Sequence, residues 1–201
     1  MPSPRALIRL AVATVVLLAA AHPAAAGPAD RQHEYDAQFR KYSKRFFGVA
    51  FDWRLFKAQG MAESNLNPEA RSHRGAKGIM QLMPATFGDV QLKNPEFGDI
   101  GDPEWNIAAG IWYAKRLWDS WVGQVDSGHH REFMLASYNA GRLTVARAQQ
   151  IAAERLLDRR LWPSIQQVAP SVPRWSYRET LGYVVKVFGY LQNMDYRGRL
   201  R

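Results

Sequence analysis

Glu63 is a carboxylate placed where a helix should bury an apolar side chain. It stands in Ala62-Glu63-Ser64-Asn65-Leu66-Asn67-Pro68, at the end of a helix predicted over 53–64 with Asp52 as its N-cap. At about 100° per residue, Leu55, Phe56, Ala58 and Ala62 share one face, and Glu63 projects between Leu55 and Phe56. Burial on that face disfavours the ionised carboxylate, and so does the negative end of the helix dipole in the last turn. Both push the pKa up. A glutamic acid that keeps its proton near neutral pH can deliver it to a leaving group as a general acid. On position alone, a helix-terminal glutamate is an ordinary solvated residue; its neighbours must decide between the two readings.

Two-carboxylate chemistry finds no partner for Glu63 in the sequence. Glu69, Asp89, Asp99, Asp102 and Glu104 fall in loop-like sequence, and nothing fixes any of them opposite it. Glu179 forms a Ser176-x-x-Glu179 pattern that reads as a capping box. The five histidines show no metal-ligand spacing, and His129-His130 reads as solvated loop. Absence of cysteine excludes disulfides, thiolate metal sites and a cysteine nucleophile. The sequence therefore calls for no metal and no cofactor.

The elements that must carry Glu63 are helical. Tyr35, Phe39, Tyr42 and Phe46 make a stripe that predicts a first helix over 34–47. Residues 64–77 contain Pro68 and Gly75 and read as loop; residues 78–83 form a short apolar stretch, read as extended. Pro84 suits the first turn of a helix to about Phe87. Further helices are predicted over 105–122, 131–139 (ended by Gly141) and 143–155. Residues 162–173 carry three prolines and read as a crossing loop. The last helix is predicted over 175–194, with Leu181, Val184, Val185, Phe188 and Leu191 as its core stripe. Asn106 and Gly110 read as scaffold, with Gly110 allowing close helix packing. The fold class is mainly α, one domain with no internal repeat.

The 201 residues, 47% hydrophobic and 12% aromatic, suffice for one domain with a real core. Seven Trp and eight Tyr could stack on sugar rings, but a helical core uses most of them. Residues 1–26 read as a secretory signal: Arg5 and Arg9, an apolar run over 10–21, then Ala24-Ala25-Ala26 for cleavage. An uncleaved N-terminal anchor is the alternative. The mature domain is thus 27–201, periplasmic or secreted. The net charge is +9; loss of Arg5 and Arg9 leaves about +7. That balance favours polyanions. Nucleic acid is excluded on motif and compartment, and attraction to an anionic cell wall is the simpler account.

The run from Glu63 to Thr86 resembles the signature of the family 1 lytic transglycosylases, the goose-lysozyme-like enzymes that cut peptidoglycan glycan strands. It carries Glu63-Ser64, Pro68, Ala70, Ser72, Gly75-Ala76, Gly78 and Met80-Gln81-Leu82-Met83-Pro84-Ala85-Thr86. Tyr138-Asn139-Ala140-Gly141 and Glu179-Thr180-Leu181-Gly182-Tyr183-Val184 are similar to the family's second and third motifs, in the family's order. The opening Phe51-Asp52-Trp53-Arg54-Leu55 looks particularly like the murein transglycosylase F branch. The resemblance implies a lysozyme-like fold with a glycan groove, and Glu63 as sole catalytic carboxyl, acid then base. It implies contact with substrate from Ser72, Met80, Gln81, Tyr138, Asn139 and Glu179. Read as residues, Met80 and Met83 are core fillers, Ser72 has a loop serine satisfying local backbone as its alternative, and Asn139 is equally a helix end. By the resemblance, Tyr138 points its hydroxyl at Glu63 or the reacting sugar, and Tyr183 packs near the Glu63 helix. The implied products are 1,6-anhydromuramoyl ends. A hydrolase on the same fold, or a non-catalytic wall-binding module, are the other readings. The expected partners are glycan strands and cell-wall or secretion machinery, with the chain a monomer.

Overall fold

The computed structural model describes residues 31–200; the signal sequence read over 1–26 lies outside the described residues. A short α1 (Arg31–Glu34) leads into α2 (Asp36–Phe47), followed by α3 (Arg54–Ser64), which carries Glu63 at its end. α2 buries Phe39 and Tyr42 from the predicted stripe, with Tyr35 buried just ahead of it. α3 starts at Arg54 because Asp52 accepts from the Arg54 amide at 3.1 Å and grips its guanidinium at 2.7 Å. It stops at Asn65, in the left-handed region, whose amide returns to Met61 O at 3.0 Å.

Next come α4 (Pro84–Lys93), α5 (Pro103–Trp121), α6 (His130–Ala140), α7 (Arg142–Glu154), α8 (Trp162–Val168) and α9 (Tyr177–Gln192). α3 packs along α9, α5 lies between α2 and α6, and α6 touches both α7 and α9. Trp121, Phe133, Met134 and Leu135 lie fully buried where α5 meets α6. The Trp121 indole donates to Ser137 Oγ at 3.0 Å, so its one polar atom is satisfied inside the core. Among the described residues, extended structure is limited to isolated bridges, two of which pair Lys77 with Arg71 and Leu82. No described helix is long and apolar enough to cross a membrane.

Four expectations are corrected. The proline-rich span over 162–173 is not a loop: Pro163 sits in the first turn of α8 and Pro170 in the 3-10 turn Ala169–Ser171. At those positions a missing N–H costs nothing. α4 runs six residues beyond Phe87, to Lys93. The buried face of α9 is Thr180, Tyr183, Val184 and Val187, while Val185 is 66% exposed. The apolar stripe missed this because Thr180 and Tyr183 bury hydroxyls that find partners. His130 is not solvated; it stacks on Trp118 at 3.7 Å between centroids, and its ring nitrogen meets Trp118 O at 2.8 Å.

Residues 194–200 form a latched turn. Arg54 donates to Asp195 O at 3.0 Å, and the buried Lys57 donates to Gly198 O at 2.7 Å. Gly198 has φ +82, and a Cβ there would come within 2.5 Å of the Trp53 ring. Lys57 is only 1% exposed and also pairs with Asp36 at 2.6 Å. Removing a buried charge's partner strands the other charge. Lys57→Met is therefore expected to lower unfolding stability by about 3 kcal/mol, read as a shift of the urea midpoint. An unchanged midpoint would remove Lys57 from the account of the latch.

Candidate active site

Glu63 stands at the foot of a groove of about 400 Å³ whose walls come from the loop after α3 and from the facing parts of α6 and α9. Its Oε1 accepts a hydrogen bond from the Tyr183 hydroxyl at 2.6 Å. Burial raises its pKa to about 7, and the Tyr183 bond and the nearby Lys186 charge pull the other way. Lys186 is held there by donating to Ala62 O at 2.8 Å. Burial also holds Tyr183 and Tyr138 well above the ordinary phenol value, so both act as neutral donors. The result is a carboxyl with one oxygen fixed from behind, half-protonated near neutral pH.

The wall loop is built from backbone up. Ser64 donates to Ile79 O at 2.8 Å and accepts from the Asn67 amide at 3.2 Å, tying the end of α3 to residues 78–81, which form a turn rather than the extended stretch expected over 78–83. Asn106 on α5 accepts from Met80 N at 2.8 Å and donates to Lys77 O and Ile100 O, each at 3.0 Å. Gly78, at φ +76, is required there: a Cβ would collide with the Asn106 side chain. Gly110 lets the Met80 side chain lie against α5, since a Cβ would come within 2.7 Å of it. The scaffold reading of Asn106 and Gly110 thus acquires a specific job, which is to hold the loop under the groove.

Ser72, Gln81, Tyr138, Asn139 and Glu179 all line the groove with Glu63. Ser72 Oγ accepts from the Ala76 amide at 3.0 Å, so it braces its own loop and keeps its hydroxyl proton for the groove. Gln81, at φ +46, donates to Gly78 O at 2.9 Å and Ala70 O at 3.2 Å, leaving Oε1 as an acceptor. Asn139 Oδ1 accepts from the Thr180 hydroxyl at 2.8 Å, and Thr180 in turn accepts from the Trp175 indole at 2.9 Å. The second and third motifs are thereby bonded to each other across α6 and α9.

Three sequence expectations change. Met80 does not face the groove: its side chain is fully buried, whereas Met83 is 42% exposed and lines it. Tyr138 donates to Met80 O at 2.9 Å rather than to Glu63. The Ser176 side chain makes no cap bond, so the capping box does not form and Glu179 is an exposed carboxylate on the groove rim. Tyr183 is the functional residue that sequence reasoning underrated. The third motif contained it, but only the packing of α3 on α9 puts its hydroxyl on Glu63. Of the acids read as loop residues, Asp102 caps α5 and Glu104 is held by Lys41 and Tyr42 at 2.7 and 2.8 Å. Among the described residues, no group of three or more acidic or histidine side chains is arranged to hold a metal ion.

Residues 44–159 match the family model described as the transglycosylase SLT domain. The chain belongs to that family. A membrane-bound lytic murein transglycosylase F from Desulfosudis oleivorans is 35% identical over 145 residues, covering 72% of this chain and 30% of that protein. The protein of the same name from Shewanella pealeana is 30% identical over 150 residues, covering 75% of this chain and 29% of its own length. The chain thus spans about three-tenths of these relatives. Its fold matches the 70 kDa soluble lytic transglycosylase of Escherichia coli, with a TM-score of 0.61 and 26% identity, over 86% of this chain and 27% of that one. A complex of the 70 kDa soluble lytic transglycosylase with bulgecin A matches with a TM-score of 0.58 and 25% identity, over 85% of this chain and 26% of that one. The lysozyme-like, mainly helical fold expected from the sequence is the one observed.

Proposed function

We propose that this SLT domain is an exported peptidoglycan lytic transglycosylase, cleaving the β-1,4 bond between N-acetylmuramic acid and N-acetylglucosamine. The carrying observation is Glu63, a carboxyl raised to about 7 by burial, facing a groove with one oxygen held by Tyr183. Protonated Glu63 gives its proton to the glycosidic oxygen as the bond to the anomeric carbon breaks. The substrate's own acetamido group shields that carbon. Glu63, now a carboxylate, takes the proton from the muramoyl C6 hydroxyl as that oxygen bonds to the anomeric carbon and closes a 1,6-anhydro ring. The C6 hydroxyl replaces water because it is already present at high effective concentration. A pKa near the working pH suits a group that must act as acid and then base. Ser72, Gln81 and Asn139 supply a hydroxyl, an amide oxygen and an amide nitrogen to the groove for the N-acetyl and hydroxyl groups of the sugars. The domain acts as a monomer in the periplasm or at the wall, freed of residues 1–26, where cell-wall or secretion machinery would use it for local opening.

Glu179 on the groove rim favours one further reading, a hydrolase in which that second carboxylate activates water. Mass spectrometry of soluble products from peptidoglycan digested by residues 27–201 separates the two. Products one water lighter, without reducing ends, are expected. Reducing muramic acid ends would transfer the reaction to water and Glu179.

A further inference from the structure

A strongly basic surface of the described residues lies away from the groove. α2 and the latched C-terminal turn enclose a basin of about 810 Å³ rimmed by Arg40, Lys41, Lys44, Arg197 and Arg199. Its acids are already engaged. Asp36 is taken by Lys57 at 2.6 Å, and Glu104, beside the basin, is taken by Lys41 at 2.7 Å. Arg40, Lys44, Arg197 and Arg199 make no ion pair among the described residues, and all four are exposed. Asp195 is drawn down by the Arg199 and Arg197 amides and then by their charges, but one carboxylate against four cations leaves the basin net positive and complementary to an anion carrying several charges.

The basin is also built, not accidental. Arg40 lies over the Trp53 ring at 4.4 Å and donates to Arg197 O at 3.2 Å, which fixes one rim to the other. Asp195 accepts from the Arg197 and Arg199 amides, each at 2.8 Å, so the turn that carries both arginines is fixed. Lys57 and Arg54 clamp that turn from below. No residue that lines the basin also lines the groove. A ligand in the basin therefore leaves the groove open.

We infer that this basin is a second binding site for the substrate polymer itself: it holds the free carboxylates of the peptide stems while the groove holds the glycan strand. The proposal rests on the transglycosylase reading for the identity of the polymer. Three arginine forks match carboxylates in pairs of parallel hydrogen bonds. A concave basin suits protruding anionic branches better than it suits a plane of lipid headgroups. The positive balance of the domain, about +7 of the chain's +9 once Arg5 and Arg9 are lost, is not needed by the groove chemistry and gains a place to act.

The test separates binding from cleavage. Glu63→Gln protein, unable to cut, is pelleted with purified sacculi at low salt, with and without Arg197→Glu and Arg199→Glu. Charge reversal is expected to weaken pelleting about tenfold and to remove most of its salt dependence. Reversal of two exposed arginines elsewhere, Arg147→Glu and Arg160→Glu, controls for net charge and should change little. Sacculi whose carboxylates have been blocked as amides should bind the unreversed protein as weakly as intact sacculi bind the reversed one. In protein retaining Glu63, the reversal should leave kcat on a short soluble glycan unchanged and raise KM on whole sacculi. Equal pelleting of both basin forms would overturn the proposal. So would a loss confined to anionic phospholipid vesicles, which would reassign the basin to a membrane surface. Because pelleting needs no turnover, a failure here is distinguishable from a failure of the transglycosylase reading.

Discussion

Glu63→Gln is expected to lower strand cleavage by about three orders of magnitude, the middle of the range for loss of a general acid, and at the same time to stabilise the protein above pH 7. The second effect follows from linkage. The folded carboxyl titrates near 7 against an ordinary value of 4.5. Below 4.5 both folded and unfolded states are protonated, and the group costs nothing. As pH rises from 4.5 to 7, the unfolded chain ionises while the folded one holds its proton, and stability falls. Above 7 the buried charge costs on the order of 3 kcal/mol relative to acid conditions. The neutral amide escapes that cost. At pH 8 the variant should melt several degrees above the wild type, and at pH 4 the two should coincide. Full cleavage by the variant would remove Glu63 as the acid. Coincident melting at both pH values would mean that the carboxyl is solvated.

Tyr183→Phe is expected to move the pH profile as well as the rate. The 2.6 Å bond from its hydroxyl favours the ionised carboxylate, so losing it sends the Glu63 pKa further above 7. The high-pH limb of kcat, set by loss of the Glu63 proton, should shift upward. Meanwhile kcat at the optimum falls by about tenfold as the carboxyl loses its fixed orientation. Tyr138→Phe is the contrast. Its hydroxyl bonds Met80 O, so its loss should leave the limb in place. If both variants kept the wild-type limb, Tyr183 would be packing only.

The helices that carry the site were legible because their apolar spacing is regular, as in Phe39 and Tyr42 on α2. Glu63 was legible as an acid because it breaks such a pattern. What escaped was the register of α9. A stripe drawn through Leu181 and Val185 ignores Thr180 and Tyr183, whose buried hydroxyls donate to Asn139 and Glu63, far away in sequence. Partners separated by 41 and 120 residues leave no local periodicity to read. The same holds for Met80 and Met83. Both look like core fillers in sequence, and only the close approach of Gly110 decides which one is buried. The capping box at Ser176 and Glu179 shows the converse error: a local pattern was present, but the fold turns Glu179 toward the groove rim instead.

Titration of the Glu63 side-chain carboxyl by carbon-13 NMR, assigned by the signal missing in Glu63→Gln, reads its protonation state in the folded protein. A midpoint near 7 is expected, moving up in Tyr183→Phe. A midpoint at the ordinary 4.5 would leave Glu63 ionised at neutral pH and contradict its role as the proton donor.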